Sequence, residues 1–272
     1  MCPVEIMTDV VGGNWLVRRP VPGRKTKARL FCFPNAGMGA SAYRLWSAGL
    51  PPELEVCAVQ LPGRESRYRE VPLNRIESLV AALLPALRPH LDLPFALFGH
   101  SMGALVATEL TVALAEGAGP LPQHLFVSAR RPPHLPDPDA PLSGLSDSEF
   151  VAEINRRYGG IPAEIVRDTE MMSLLLPSLR ADIQALENHV PARPTRITVP
   201  LSVFGGTLDA RVPHTHLEAW RPAAAGGFRL RVFAGDHFYI NPRRAEVLAE
   251  IATTLAPMLQ SGVVANPIAG GG

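Results

Sequence analysis

The stretch Phe95-Ala96-Leu97-Phe98-Gly99-His100-Ser101-Met102-Gly103-Ala104 decides the fold. Four apolar residues suited to a buried strand run straight into a Gly-x-Ser-x-Gly pentad, and a segment of helical period continues from Met102 to about Glu116, ending before Gly117 and Gly119. A chain that reverses from strand to helix in so few residues needs small neighbours at the turn, which Gly99 and Gly103 supply. Such a turn lifts the Ser101 hydroxyl clear of the sheet and leaves it at a helix N-terminus. Ser101 is therefore the candidate nucleophile.

Outward from this elbow, short apolar runs at 30–33, 54–59, 124–128, 201–204 and 228–233 alternate with segments of helical period. Together with 95–98 they predict an α/β architecture, a central and mostly parallel sheet flanked by helices. One helix should start near Asn74 and Glu77, with Ile76, Leu79, Val80, Leu83, Leu84 and Leu87 at helical offsets, and a last one should span about 243–258. Between Arg130 and Pro194 no strand pattern is found. Ser146 and Glu149 form a capping box for a helix using Phe150, Val151, Ile154 and Tyr158. A second helix carries Leu176, Leu179, Ile183 and Leu186, with Pro177 as its kink or first turn. The expected organisation is a core of residues 1–129 and 195–260, an inserted helical lid over 130–194 bounded by Pro-rich links at 131–141 and 191–200, and a flexible tail over 261–272.

Composition removes several classes of function. Of 272 residues, 47% are hydrophobic and 19% charged, which excludes a mainly disordered chain. Lys and Arg number 26 against 25 Asp and Glu, a formal charge of +1 that builds no field for nucleic acid or anionic lipid. No apolar run reaches the roughly 20 residues of a bilayer span, and the first twenty residues lack the pattern of a secretory signal, so the expected location is cytoplasmic. Cys2, Cys32 and Cys57 form no close pair and read as reduced structural thiols. No His/Cys cluster or phosphate loop appears, so neither metal nor cofactor is expected.

A serine hydroxyl needs a base to take its proton and a third group to hold that base. His237, in Gly235-Asp236-His237-Phe238, follows the strand at 228–233, and Asp209, in Gly205-Gly206-Thr207-Leu208-Asp209, follows the strand at 201–204. Both therefore sit in loops at the carboxyl edge where Ser101 also lies. His100 is the runner-up base and Asp236 the rival acid. The order Ser101, Asp209, His237 is that of α/β-hydrolases and differs from the orders of chymotrypsin and subtilisin. Oxyanion donors are expected from the Met102 amide and from the loop Phe33-Pro34-Asn35-Ala36-Gly37-Met38-Gly39, where Ala36 is preferred and Asn35 or Gly37 are alternatives.

The segments LFCFPNAGMGASAY, QLPGRESRYREVP, FALFGHSMGA, VFGGTLDARV and FAGDHFYI, in that order and spacing, resemble type II thioesterases, the stand-alone editing hydrolases of polyketide and nonribosomal peptide synthesis. The resemblance covers about 29–256. It implies an α/β-hydrolase that releases acyl groups from the phosphopantetheine thioester of acyl or peptidyl carrier proteins, with Ser101, Asp209 and His237 as triad and Met102 and Ala36 as oxyanion donors. Where the family usually has PHAGG, this chain has Pro34-Asn35-Ala36-Gly37-Met38, so Asn35 and Met38 alter the loop that meets substrate. A carboxylesterase or lipase-like hydrolase, a macrocyclising thioesterase and a non-catalytic ligand-binding protein of the same fold are the alternatives. The start at Met1, with no synthase module before it, argues against cyclisation. Met171, Met172, Leu174, Leu175 and Leu176 either line an acyl chamber or are plain packing.

Overall fold

A computed structural model describes residues 9–11, 15–117, 119–137, 139–191 and 195–260. The expected tail at 261–272, Cys2 and the last residues of the 130–194 segment lie outside the described residues. Among the described residues eight strands form one sheet: β1 (Asp9–Val11), β2 (Leu16–Arg19), β3 (Ala28–Phe33), β4 (Leu54–Val59), β5 (Phe95–His100), β6 (His124–Ser128), β7 (Leu201–Gly206) and β8 (Phe228–Phe233). Their order is β1-β2-β4-β3-β5-β6-β7-β8. From β4 to β8 all neighbours are parallel, whereas β2 runs antiparallel to both β1 and β4.

The six apolar runs are the six parallel strands. Every residue of β3, β4, β5, β6 and β7 is buried, as expected of a parallel sheet covered on both faces. β1 and β2 escape sequence reading because they are short and β2 carries Arg18 and Arg19 in place of an apolar run. What holds β2 is tertiary: the Arg18 guanidinium donates to the fully buried Glu55 carboxylate on β4 at 2.8 and 3.0 Å.

Alternate residues of β3 enter opposite halves of the core. Phe31 and Phe33 pack with α1 (Ile76–Leu87) and α2 (Met102–Glu116), while Leu30 and Cys32 pack with Trp46 and, across the chain, the C-terminal helix over 244–260. Asn74 does not cap α1. Arg75 occupies the cap position without a side-chain bond, and the Asn74 amide donates instead to Gln184 at 3.0 Å, a tertiary partner that local pattern could not reveal.

Between β6 and β7 lie α3 (Asp147–Tyr158), α4 (Ala163–Arg167) and α5 (Thr169–Glu187). The Ser146–Glu149 capping box is present. α5 starts well before Leu176, because Asp168 caps it by accepting from the Glu170 and Met171 amides, so Pro177 lies inside the helix and not in its first turn. Leu142, Phe150, Ile154, Leu179 and Ile183 give these helices a small core of their own. The chain ends its described course with α6 (His214–Glu218) and α7 (Arg244–Gln260). No helix among the described residues is long and apolar enough to cross a membrane.

Candidate active site

Ser101 joins β5 to α2 with φ at +54° and ψ at −112°, a conformation costly for a residue with a β-carbon. The turn holds because the Ser101 amide donates to the Ser128 carbonyl at 2.8 Å and because positions 99 and 103, two residues to either side, lack a side chain. A Cβ on Gly99 would lie 2.1 Å from the Gly103 carbonyl oxygen, and one on Gly103 would lie 2.0 Å from the Phe33 carbonyl oxygen. The glycines therefore allow the first turn of α2 to press on the end of β5 and on the loop after β3.

Three side chains from three loops meet above this turn. His237 Nε2 lies 3.1 Å from Ser101 Oγ, and His237 Nδ1 lies 2.8 Å from Asp209 Oδ2. The Asp209 carboxylate is fully removed from solvent, and its second oxygen accepts from the Arg211 and Val212 amides at 3.0 and 3.2 Å. Those two donors fix the Asp209 carboxylate while its other oxygen meets His237. Asp236 points elsewhere, with Oδ1 accepting from the Phe238 amide at 2.9 Å in a local turn.

His100 has a different place. Its Nδ1 lies 2.8 Å from Ser128 Oγ, which in turn lies 2.5 Å from the Tyr239 hydroxyl, and burial together with the neighbouring His237 holds His100 well below the usual histidine range. It is a neutral packing group beneath the site. His124 and Ser202 make a similar buried pair between β6 and β7.

The loop after β3 turns tightly: the Met38 amide donates to the Asn35 carbonyl at 3.1 Å, and Gly37 has φ at +77°. The Asn35 side chain donates to the Ala36 carbonyl at 3.2 Å, and the Tyr43 hydroxyl donates to the Phe33 carbonyl at 2.6 Å. Of the three alternatives for a donor, Gly37 is already engaged, because its amide donates to Asp182 Oδ2 at 2.8 Å. Among the described residues no acceptor is paired with the Ala36 or Met102 amide. The second is a first-turn helical N–H, which has no intrahelical partner by geometry.

Ser101 and His237 open onto a small pocket whose other walls include Arg130, Arg131, Asp137, Tyr158 and Arg211. Arg131 and Arg211 both pair with Asp137, and burial beside Arg131 pulls the Arg130 guanidinium down to about 10. The apolar residues expected to line an acyl chamber do not form these walls. Met171 and Leu174 are exposed, at 45% and 55%, and Leu175 packs towards Gly37.

Sequence reading missed Asp182, Arg64 and the arginine walls. A signal existed for Asp182, a carboxylate beside the apolar stripe of Leu179, Ile183 and Leu186, but its partner is 118 residues away.

The thioesterase domain family matches residues 28–255. The gramicidin S biosynthesis protein GrsT of Aneurinibacillus migulanus is 38% identical over 250 residues, covering 90% of this chain and 97% of GrsT. Thioesterase PikA5 of Streptomyces venezuelae is 37% identical over 254 residues, covering 92% of this chain and 89% of PikA5. The structure of the type II thioesterase BorB, from the borrelidin biosynthetic cluster, superposes with a TM-score of 0.80 at 35% identity, covering 93% of this chain and 99% of BorB.

Proposed function

Because the chain belongs to the thioesterase domain family and is a thioester hydrolase, we propose that Ser101, His237 and Asp209 are its catalytic triad. We further propose that its substrates are acyl groups on the phosphopantetheine arm of acyl or peptidyl carrier proteins, removed when a polyketide or nonribosomal peptide synthase stalls. Relatives of this kind, matched over nearly their whole length, support that reading.

In the proposed mechanism Ser101 Oγ attacks the thioester carbonyl while its proton passes to His237 Nε2. The Asp209 carboxylate accepts the Nδ1–H bond, fixing the tautomer and stabilising the imidazolium. The new oxyanion accepts hydrogen bonds from the Ala36 and Met102 amides. Collapse breaks the carbon–sulfur bond. A thiol has an ordinary pKa of about 8.5, so the sulfur departs with little help, and the imidazolium proton neutralises it. Water then gives a proton to His237 as it attacks the acyl-serine, and the acid leaves with Ser101 restored. The observation that carries this reading is the continuous contact Ser101–His237–Asp209 ending in a carboxylate shielded from water.

The segment 130–194 acts in this proposal as a lid over Ser101, and the cytoplasm is its place of work. The unpaired, buried thiols of Cys32 and Cys57 are in keeping with a reducing compartment. The test is thiol release from acyl-loaded carrier protein, expected for the wild type and lost in Ser101→Ala. Turnover retained in Ser101→Ala, or oxygen esters hydrolysed in preference to thioesters, would overturn it.

A further inference from the structure

A carboxylate on the lid reaches into the loop beside the nucleophile. Asp182 lies on α5 and is fully buried. Its Oδ2 accepts from the Gly37 amide at 2.8 Å and from Arg64 Nη1, and its Oδ1 accepts from Arg64 Nη2 at 2.9 Å. Arg64 Nη1 also reaches the Met38 carbonyl at 3.4 Å. Gln60 holds the next part of the loop, accepting from the Ala40 amide and donating to the Arg64 carbonyl, both at 3.0 Å. The peptide after Ala36 is thus gripped on its N–H side by α5 and further along by the 60–64 segment. Leu175 and Leu179 of the same helix pack over Gly37.

Stability alone is a weak reason for this arrangement. A buried ion pair loses much of its attraction to desolvation, and apolar residues of equal volume often serve as well. Burial does push the Asp182 carboxyl up, against the pull of Arg64 and the Gly37 amide. What the pair supplies is orientation. Gly37 tolerates many backbone conformations, so the loop can shift at this residue unless its N–H is held; fixing the Gly37 amide anchors Ala36 from one side, and the Met38 amide bonded to the Asn35 carbonyl anchors it from the other, which limits the swing of the Asn35–Ala36 peptide that carries the Ala36 N–H.

We propose that Asp182 is a positioning residue that, by holding the Gly37 amide, sets the Ala36 N–H as an oxyanion donor and makes the donor pair complete only when α5 is seated. This rests on the triad and oxyanion assignments proposed above. The consequence is that access and catalytic competence are linked: moving α5 to admit a carrier-bound acyl group removes the acceptor from Gly37, and reseating it restores the donor before attack.

The test uses Asp182→Asn and Asp182→Ala with acyl-loaded carrier protein. Loss of one oxyanion donor lowers kcat by about 10²–10³-fold, so kcat is expected to fall on the order of 10²-fold with KM within about threefold. Affinity for a trifluoromethyl ketone, which forms an oxyanion on Ser101, should fall in parallel, while an amide analogue of the thioester binds unchanged. A merely structural residue would alter the folded fraction but not the ratio of these two affinities. If both variants fail to fold, hydrogen exchange in the wild type decides. A phosphonate adduct on Ser101 should slow exchange in both 34–38 and 169–187, and slowing confined to the loop would overturn the coupling. Folded variants with kcat and ketone affinity within threefold of wild type would overturn it as well. If Ser101→Ala keeps its turnover, the underlying assignment fails instead.

Discussion

The carbonyl oxygen of Phe33 lies 2.0 Å from where a Cβ on Gly103 would stand. Backbone meets backbone there, so no side-chain rotation can make room. Gly103→Ala should therefore push the loop after β3 away from α2, costing roughly 1–3 kcal/mol or more and separating the two amides proposed as oxyanion donors. Thermal melting and thioester turnover should both fall. Gly144→Ala, where nothing lies within 4 Å, is the control and should leave both unchanged.

Asp209 and Asp236 are both close in sequence to the base's loop or its partner strand, but only Asp209 touches His237. Asp209→Asn should lower kcat by about 10³–10⁴-fold, because the amide favours the wrong imidazole tautomer. Asp236→Asn should stay within about threefold. Equal losses in the two variants, measured by thiol release, would contradict the assignment of the acid.

Glu55 accepts from Arg18 on one side and from Arg29 at 3.1 Å on the other, with its side chain wholly buried. Glu55→Ala leaves Arg29 largely buried with the Asp92 carboxylate and the His90 carbonyl as its remaining partners, and it removes the ion pair that joins Arg18 of β2 to β4. An unfolding loss of about 3 kcal/mol is expected in urea. Asp92→Asn, at an exposed partner, should cost less than about 1 kcal/mol.

His124 is buried, bonded to Ser202 Oγ at 2.8 Å, and pulled down to about 4 by burial and by Arg229. In the unfolded chain it titrates near its ordinary value of about 6.5. Between those two values the unfolded state binds the proton and the folded state does not, so stability falls as pH drops through this window, by up to about 3 kcal/mol. His100 acts in the same direction. Urea midpoints should fall from pH 7 to pH 5, and His124→Asn should flatten part of that slope. An unchanged slope would refute the role of His124.

Six strands were legible because each is an apolar run that local composition can mark, and the elbow was legible because its glycines answer a steric need within a few residues. β2 was not, since two of its four residues are arginines stabilised by Glu55 on another strand. Asn74 looked like a helix cap because the cap signal is local, whereas its real partner, Gln184, lies on α5, 110 residues away. For the Met171–Leu176 stretch, apolarity alone did not say which residues turn inward: Leu175 meets Gly37, whereas Met171 and Leu174 are exposed.

Order along the chain determined the fold class and narrowed the chemistry to a serine, two competing histidines and two competing carboxylates, since strand, turn and helix follow from sterics and periodicity over short distances. Only the packed structure brought Asp209, and not Asp236, to His237, directed the Gly37 amide to Asp182, and lined the pocket beside Ser101 with arginines. Those outcomes depend on residues far apart in the chain, 136 for Ser101 and His237 and 118 for Arg64 and Asp182. Such groups meet only when the whole core closes, and no local preference encodes the meeting.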